Sequence, residues 1–300
     1  MIDSGFCHLE NIEDLLSPNL WRSLAAETFG TLVIVLLGCG TYTGTTPSVI
    51  QVSLTFGLTV ATVVWVFRHI SGGHMNPAVT LAKLVTRRVS IVRGVLYIIA
   101  QCLGGVLGAG ILFGLTPDTQ RLDLGATAIL RTGVTSPQGF GVELLVTFVV
   151  VLAVFASDDT KRRDLRGSAP LTIGLAVVVC HLFAFPYTRC GLNPARSFGP
   201  SLVMGLWQNH WVFWIGPLIG GVVAGVLYEF VFSAGATVAQ ARKCLLRSKP
   251  HPPQEADQEL DEVKVEINGE KVAEVEETPE IVEEKVPETK INLEEEKPKE

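Results

Sequence analysis

The sequence predicts an all-α membrane protein with six transmembrane helices and two further helices that each cross half of the membrane. Three observations predict this fold class. The chain contains six long apolar stretches, it is internally duplicated so that three of them fall in each half, and each half carries one Asn-Pro-Ala segment. Of its 300 residues, 48% are apolar and 18% are charged.

The six apolar stretches are long enough to cross a membrane. A hydrocarbon core of roughly 30 Å requires about 20 apolar helical residues. The stretches that meet this length are about 21–41, 49–67, 91–115, 139–157, 168–186 and 211–233. The first follows an acidic segment and not the basic segment that begins a cleavable signal peptide, so we expect it to be retained.

The charges divide the chain into three parts. Residues 250–300 contain 18 of the 30 acidic residues and 6 of the 24 basic ones, so this segment carries −12 and the rest carries +6. We predict an N-terminal segment (1–20), a membrane domain (21–235) and an acidic tail (236–300). The tail has too few apolar residues for a core, so it is expected to be disordered and is a possible binding site for a cytoplasmic regulator.

Basic residues predict the orientation of the domain, because loops rich in Lys and Arg stay in the cytoplasm. They follow the second, fourth and sixth spans, as Arg68 to Arg93, Lys161 to Arg166 and Arg242 to Lys249. The loop after the first span has none, and the loop after the third has only Arg121 and Arg131. Both termini are therefore predicted to be cytoplasmic.

The two halves of the domain are related by an offset of 116 or 117 residues. AAETFGTLV at 25–33 corresponds to GVELLVTFV at 141–149, and NPAVT at 76–80 corresponds to NPARS at 193–197. Repeat 1 covers about 21–115 and repeat 2 about 139–233. Each has three spans, an odd number, so the second repeat must be inverted, and inverted repeats place their functional site near the membrane midplane.

Each Asn-Pro-Ala segment predicts the start of a short helix. Asn76 and Asn193 suit the N-cap, Pro77 and Pro194 suit the first helical position, and Ala78 and Ala195 follow. About ten apolar residues come next, which span about 15 Å as a helix, half of a bilayer. Because the repeats are inverted, the two positive helix ends should meet at the membrane centre.

The backbone before each Asn cannot face lipid, where its carbonyl groups would have no partners, and so should line a cavity. The predicted lining groups are the carbonyls of Gly72, Gly73, His74, Arg189, Cys190 and Gly191. The amides of Asn76 and Asn193 would add donors at the centre. A single file of water fits this ladder, whereas a cation or hydronium ion would meet positive helix ends.

These features together resemble the aquaporin, or major intrinsic protein, family. The resemblance rests on SGGHMNPAVT at 71–80, NPARSFGP at 193–200, a glutamate in spans 1 and 4 and the inverted repeat, and it covers about residues 20–235. It implies the aquaporin fold and a passive water channel that assembles as a homotetramer in a lipid bilayer, most naturally the plasma membrane. It implies no cofactor, metal, nucleic acid or enzymatic activity.

The resemblance also implies a selectivity filter formed by Phe56, His181, Cys190 and Arg196. Glycerol-conducting relatives tend to have an Asp directly after NPAR, whereas this chain has Ser197. Arg189 departs from the family pattern, since many relatives have a small residue there, and it would add positive charge near the outer vestibule. Glu27 and Glu143 are expected to be structural, accepting hydrogen bonds from the cavity-lining segments.

Other functions remain open at this level. One is a channel that also passes hydrogen peroxide, ammonia, urea or glycerol. A second is a secondary transporter, which also uses inverted repeats and broken helices but usually needs an ionisable coupling site. A third is a structural junctional protein with a vestigial pore, against which the intact motifs argue.

Overall fold

The computed structural model describes residues 17–44, 46–127, 132–162, 164, 167–234 and 236. The N-terminal segment up to residue 16 and the acidic tail from residue 237 lie outside the described residues, and so do Arg163, Arg166 and the basic residues predicted after the sixth span.

The described part of the chain is helical and confirms the predicted fold class. Six helices are long and apolar enough to cross a membrane. The long helices are α1 (Pro18–Gly40), α2 (Val49–Ser71), α4 (Ile91–Leu115), α5 (Ser136–Ser157), α6 (Ala169–Thr188) and α8 (Val212–Leu227), the last of which continues as a π-helical turn, Tyr228–Phe232. Two short helices, α3 (Pro77–Val85) and α7 (Pro194–Met204), begin at the Asn-Pro-Ala motifs.

The second helix is longer than the apolar stretch that predicted it. It continues four residues beyond position 67 and ends at Gly72, whose φ of 83° is the left-handed conformation of a helix C-cap. Arg68 was predicted to lie in the loop after this span, but it belongs to the last helical turn. An apolar pattern ends where side chains reach polar surroundings, whereas a helix ends where a cap stops its hydrogen bonds.

The packing follows the inverted repeat. Helix α1 packs on α4 and α5 packs on α8, which are equivalent pairs in the two halves, while α2 packs on α6 across them. Each short helix packs on the third span of the other repeat, α3 on α8 and α7 on α4. Glycines permit this second contact, since a Cβ on Gly105 would lie 2.4 Å from the carbonyl oxygen of Ala195, and one on Gly221 would lie 2.8 Å from that of Ala78.

An ion cluster fixes the end of α3 on the face predicted to be cytoplasmic. Asp158, just past the end of α5, pairs with Lys83 of α3 at 2.7 Å and with Arg68 of α2 at 2.9 Å. Burial alone would raise the pKa of Asp158, but the two cations outweigh it and hold that pKa below its ordinary value. The pairs therefore persist at neutral pH and are lost only as the pH falls through this lowered pKa.

Candidate channel site

The two Asn-Pro-Ala motifs meet and hold each other. The side-chain oxygen of Asn76 accepts from the N–H of Ala78 at 2.8 Å, and that of Asn193 accepts from Ala195 at 3.0 Å, so both residues cap their helices. The amide nitrogen of Asn76 donates to the carbonyl of Leu192 at 3.0 Å. That of Asn193 donates to Met75 at 2.7 Å.

This exchange uses one N–H of each amide. An amide group has two N–H donors, so the second donor of each Asn remains for a molecule placed between the two helix ends. Pro77 and Pro194 occupy the first helical positions as predicted. The positive ends of α3 and α7 therefore face each other.

Glu27 anchors the segment that precedes the first motif. Its fully buried carboxylate accepts from the backbone N–H groups of His74 at 2.9 Å and Met75 at 2.5 Å. It also accepts from the hydroxyl of Ser71 at 2.6 Å and from the amide of Gln101 at 2.8 Å. Four donors thus converge on one carboxylate, which fixes an otherwise irregular stretch of backbone.

Glu143 anchors the equivalent segment of the second repeat. Its carboxylate, also fully buried, accepts from the backbone N–H groups of Gly191 and Leu192, both at 2.8 Å. The hydroxyl of Thr188 donates to it at 2.5 Å. The two glutamates, 116 residues apart in sequence, therefore make the same kind of contact in the two repeats.

The glutamates decide which carbonyls are free. In a planar trans peptide, the C=O of one residue points away from the N–H of the next. When that N–H donates to a glutamate, the C=O of the preceding residue therefore faces away from the glutamate. By this geometry the carbonyls of Gly73 and His74 face away from Glu27, and those of Cys190 and Gly191 face away from Glu143.

Three of the six residues whose carbonyls were predicted to line the cavity are held by other contacts in the structure. The carbonyl of Arg189 accepts from the Tyr42 hydroxyl at 3.1 Å, a partner that the sequence did not indicate. Gly72 belongs to the C-cap of α2, and its N–H donates to the carbonyl of Arg68. The carbonyl of Gly191 accepts from the N–H of Asn193 at 2.6 Å, which leaves one of its two lone pairs.

Three of the four residues predicted to form the filter, Phe56, His181 and Arg196, come together near the start of α7. The rings of Phe56 and His181 stack with centroids 4.6 Å apart, and the Arg196 guanidinium lies 4.9 Å from the centre of the Phe56 ring. All three side chains are at most 2% exposed, and Cys190, three residues before Asn193, is fully buried. Three helices, α2, α6 and α7, thus each contribute one of the three polar or aromatic groups.

The hydrogen-bonding groups in this cluster are complementary. His181 Nδ1 lies 2.9 Å from the carbonyl of Val177, so this nitrogen carries the proton and Nε2 of the neutral ring is an acceptor. One terminal nitrogen of Arg196 donates to the carbonyl of Gly125 at 2.7 Å. Among the described residues, nothing bonds to His181 Nε2 or to the other two guanidinium nitrogens, so one acceptor and two donor groups are left for a ligand.

Arg189 does not add a free positive charge, which corrects the expectation from the sequence. Its guanidinium forms an ion pair with Asp123, in the loop between α4 and α5, and also lies 5.4 Å from the centre of the Tyr42 ring. Its backbone has a φ of 64° and forms the C-cap of α6. The positive charge is therefore largely compensated where it lies.

Gly38 of α1 is a contributor that the sequence did not reveal. A Cβ at this position would lie 2.3 Å from an edge atom of the Phe56 ring, far inside van der Waals contact. The ring therefore occupies the space that a side chain at position 38 would need. A sequence signal did exist, since small residues on a spanning helix mark close approach, but it did not indicate which neighbour approaches.

Gly38→Ala is expected to push the Phe56 ring toward Arg196 and to slow conduction through the cluster. Overpacking of this kind costs about 1 kcal/mol or more, which as a barrier corresponds to a roughly fivefold lower permeability. Stopped-flow light scattering of proteoliposomes measures it. Gly40→Ala is the matched control, because its Cβ would lie 3.7 Å from Leu112, an ordinary contact. Equal permeability of Gly38→Ala and the control would contradict this reading.

Comparison with known proteins agrees with this geometry. A model of the family described as "Major intrinsic protein" matches residues 14–228. The chain is 49% identical to mouse Aquaporin-4 over 219 residues, which cover 71% of this chain and 68% of that protein. It is 44% identical to human Aquaporin-1 over 223 residues, covering 71% of this chain and 82% of that protein.

A solved structure shares the fold. The X-ray structure of the aquaglyceroporin from Plasmodium falciparum superposes with a TM-score of 0.63 at 22% identity, covering 71% of this chain and 96% of that one. Identity at this level supports the fold alone. Taken with the family match and the closer relatives, it leads to one conclusion: the chain is a member of the major intrinsic protein family, the family of the aquaporins.

Proposed function

We propose that this chain is a passive water channel, in which water moves in single file along osmotic gradients between the two repeats. The observation that carries the proposal is the pair of facing Asn-Pro-Ala helix ends, each with one amide N–H uncommitted and preceded by carbonyls turned away from a buried glutamate. The similarity of the chain to Aquaporin-4 and Aquaporin-1 supports it.

Protons and other cations are excluded by the same arrangement. Each helix end contributes roughly half a positive charge, and the two ends lie together at the centre. The two Asn donors orient a central water so that it donates outward in both directions, which interrupts a relay of protons. Nearer one mouth, Arg196 is buried and forms no ion pair among the described residues, so an approaching cation meets a buried positive charge.

The filter is formed by Phe56, His181, Cys190 and Arg196, and it favours water over glycerol. A water molecule can accept from the guanidinium and donate to His181 Nε2, which matches the groups left unbonded in the cluster. We expect the stacked Phe56 and His181 rings to bound the passage on one side and to leave little room for a carbon chain. Peroxide and ammonia are close to water in size and are the alternative substrates to test.

The cellular arrangement follows from the family and the charges. We propose a homotetramer with one pore in each subunit, in the plasma membrane, with both termini in the cytoplasm. The buried ion cluster of Asp158, Lys83 and Arg68 lies on the face that would be cytoplasmic. The acidic tail would then be available to a cytoplasmic regulator. The channel needs no cofactor and catalyses no reaction.

The function is tested by stopped-flow light scattering on proteoliposomes containing the purified full chain. We expect osmotic shrinkage at least about tenfold faster than in empty liposomes, a barrier difference of about 1.4 kcal/mol, together with slow re-entry of glycerol and no proton leak. Shrinkage no faster than in empty liposomes would refute the proposal. Rapid glycerol re-entry would instead assign the chain to the glycerol-conducting branch.

A further inference from the structure

The loop between α4 and α5 provides the hydrogen-bond acceptor that holds the filter arginine. Arg196 donates to the carbonyl of Gly125 at 2.7 Å. Among the described residues, this carbonyl is the only hydrogen-bond acceptor for the Arg196 side chain, since the other two guanidinium nitrogens have no partner. The position of the Gly125 carbonyl therefore decides where the guanidinium lies.

The conformation around Gly125 is unusual and needs support. Leu122, Leu124 and Gly125 have φ values of 45°, 49° and 70°, which are left-handed conformations that non-glycine residues seldom adopt. Leu124 is fully buried and anchors the loop in the core. A Cβ on Gly125 would lie 2.7 Å from the Tyr42 ring, so the loop rests directly on that side chain.

Asp123 connects this loop to α6. One of its carboxylate oxygens accepts from the N–H of Gly125 at 3.0 Å, and the other pairs with the Arg189 guanidinium. The carbonyl of Arg189 in turn accepts from the hydroxyl of Tyr42. Asp123 and Arg189 are 22% and 17% exposed, so their ion pair is partly shielded from solvent.

We infer that Arg189 and Asp123 are positioning residues for the filter, because their ion pair holds the Gly125 carbonyl where it can fix Arg196. The inference rests on the proposed water-selective function and deepens it. It also gives Arg189, the departure from the family pattern, a role in solute selectivity. Loss of the pair lets the loop and the guanidinium move, which opens the filter to larger neutral solutes.

Arg189→Gly is the most informative variant. The φ of 64° at this position favours glycine, so the substitution removes the side chain without straining the backbone. Asp123→Asn removes the charge but keeps an oxygen that can accept from the N–H of Gly125. Asp118→Asn is the matched control, since it removes the charge of the Asp118–Arg121 ion pair in the same loop, where the Asp118 side chain is 84% exposed.

The experiment measures glycerol and water permeability of proteoliposomes containing each full-length variant. We expect the ratio of glycerol to water permeability to rise about threefold in Arg189→Gly and in Asp123→Asn. The ratio should rise no further in the double variant, since both substitutions remove the same ion pair. The control variant should keep the ratio of the unaltered protein.

Three outcomes would overturn the inference while leaving the proposed function intact. They are an unchanged ratio in Arg189→Gly, an equal rise in Asp118→Asn, and a proportional loss of both permeabilities, which would indicate a merely structural role. If the unaltered protein itself conducts no water, the proposed function fails first, so the two failures are distinguishable.

Discussion

Replacing Arg196 with valine and His181 with alanine in one chain is expected to raise glycerol permeability at least about tenfold, a barrier lower by about 1.4 kcal/mol. The two side chains provide the donors and the acceptor that remain unbonded in the filter. Valine and alanine remove these groups and much of the volume, and they leave Phe56 as the largest remaining filter side chain. Water permeability should be kept or increased, because the passage between the filter side chains becomes wider.

The change is measured by stopped-flow light scattering with glycerol and urea as osmolytes. Phe183→Ala is a suitable control, since this residue lies on α6 two positions from His181 but is 47% exposed on the outer surface of the domain. An unchanged range of permeant solutes in the double variant would show that the assigned filter does not select solutes.

Replacing Glu143 with alanine is expected to have the largest effect on stability. The substitution leaves the buried N–H groups of Gly191 and Leu192 without their acceptor. Each unpaired buried donor costs about 1–3 kcal/mol, so the total loss is roughly 2–6 kcal/mol. This is a large part of the stability of a typical domain, about 5–15 kcal/mol.

The same substitution should impair conduction in the protein that still folds. Without the carboxylate, the carbonyls of Cys190 and Gly191 are no longer held in one direction, and water permeability per folded molecule should fall. Glu143→Gln should give an intermediate result, because the amide keeps one oxygen acceptor and presents an N–H to the other donor.

Thermal unfolding in detergent, together with stopped-flow measurements at equal protein density, checks this prediction. Leu145→Ala on the same helix is the control, since that side chain is 49% exposed. If Glu143→Ala unfolded at the same temperature as the control variant and conducted water equally well, the Glu143 carboxylate would not have the anchoring role assigned to it.

The fold could be predicted because a membrane imposes simple local rules. Six apolar stretches of sufficient length, and Asn-Pro pairs that begin helices, are properties of contiguous residues. The duplication then determined that the second repeat is inverted, since each repeat has three spans. The helix ends were harder, as Arg68 shows: it lies in the last turn of α2, because the cap at Gly72 and not the apolar pattern ends that helix.

The residues alone predicted the site where it follows the repeat, and the filter was predicted only through the family resemblance. The repeat pairs Asn76 with Asn193 and Glu27 with Glu143, so a functional residue in one half of the chain predicts its counterpart in the other half. Gly38, Tyr42 and Gly125 have no such counterpart in the argument from sequence. Their contacts with the filter depend on which side chains a helix and an irregular loop bring close together. A periodic sequence pattern does not show which distant residues come into contact.

By itself, then, the sequence determined a membrane protein of two inverted repeats with two facing Asn-Pro-Ala helix starts. The reason is that span length and helix capping depend on contiguous residues, and the duplication appears as a constant offset between matching segments. Only the tertiary structure decided that the charge of Arg189 is paired with Asp123, 66 residues away, and that Arg196 is held by the carbonyl of Gly125, 71 residues away. Those partners lie in a loop of left-handed conformations, whose path is set by the buried Leu124 and by Tyr42 beneath it.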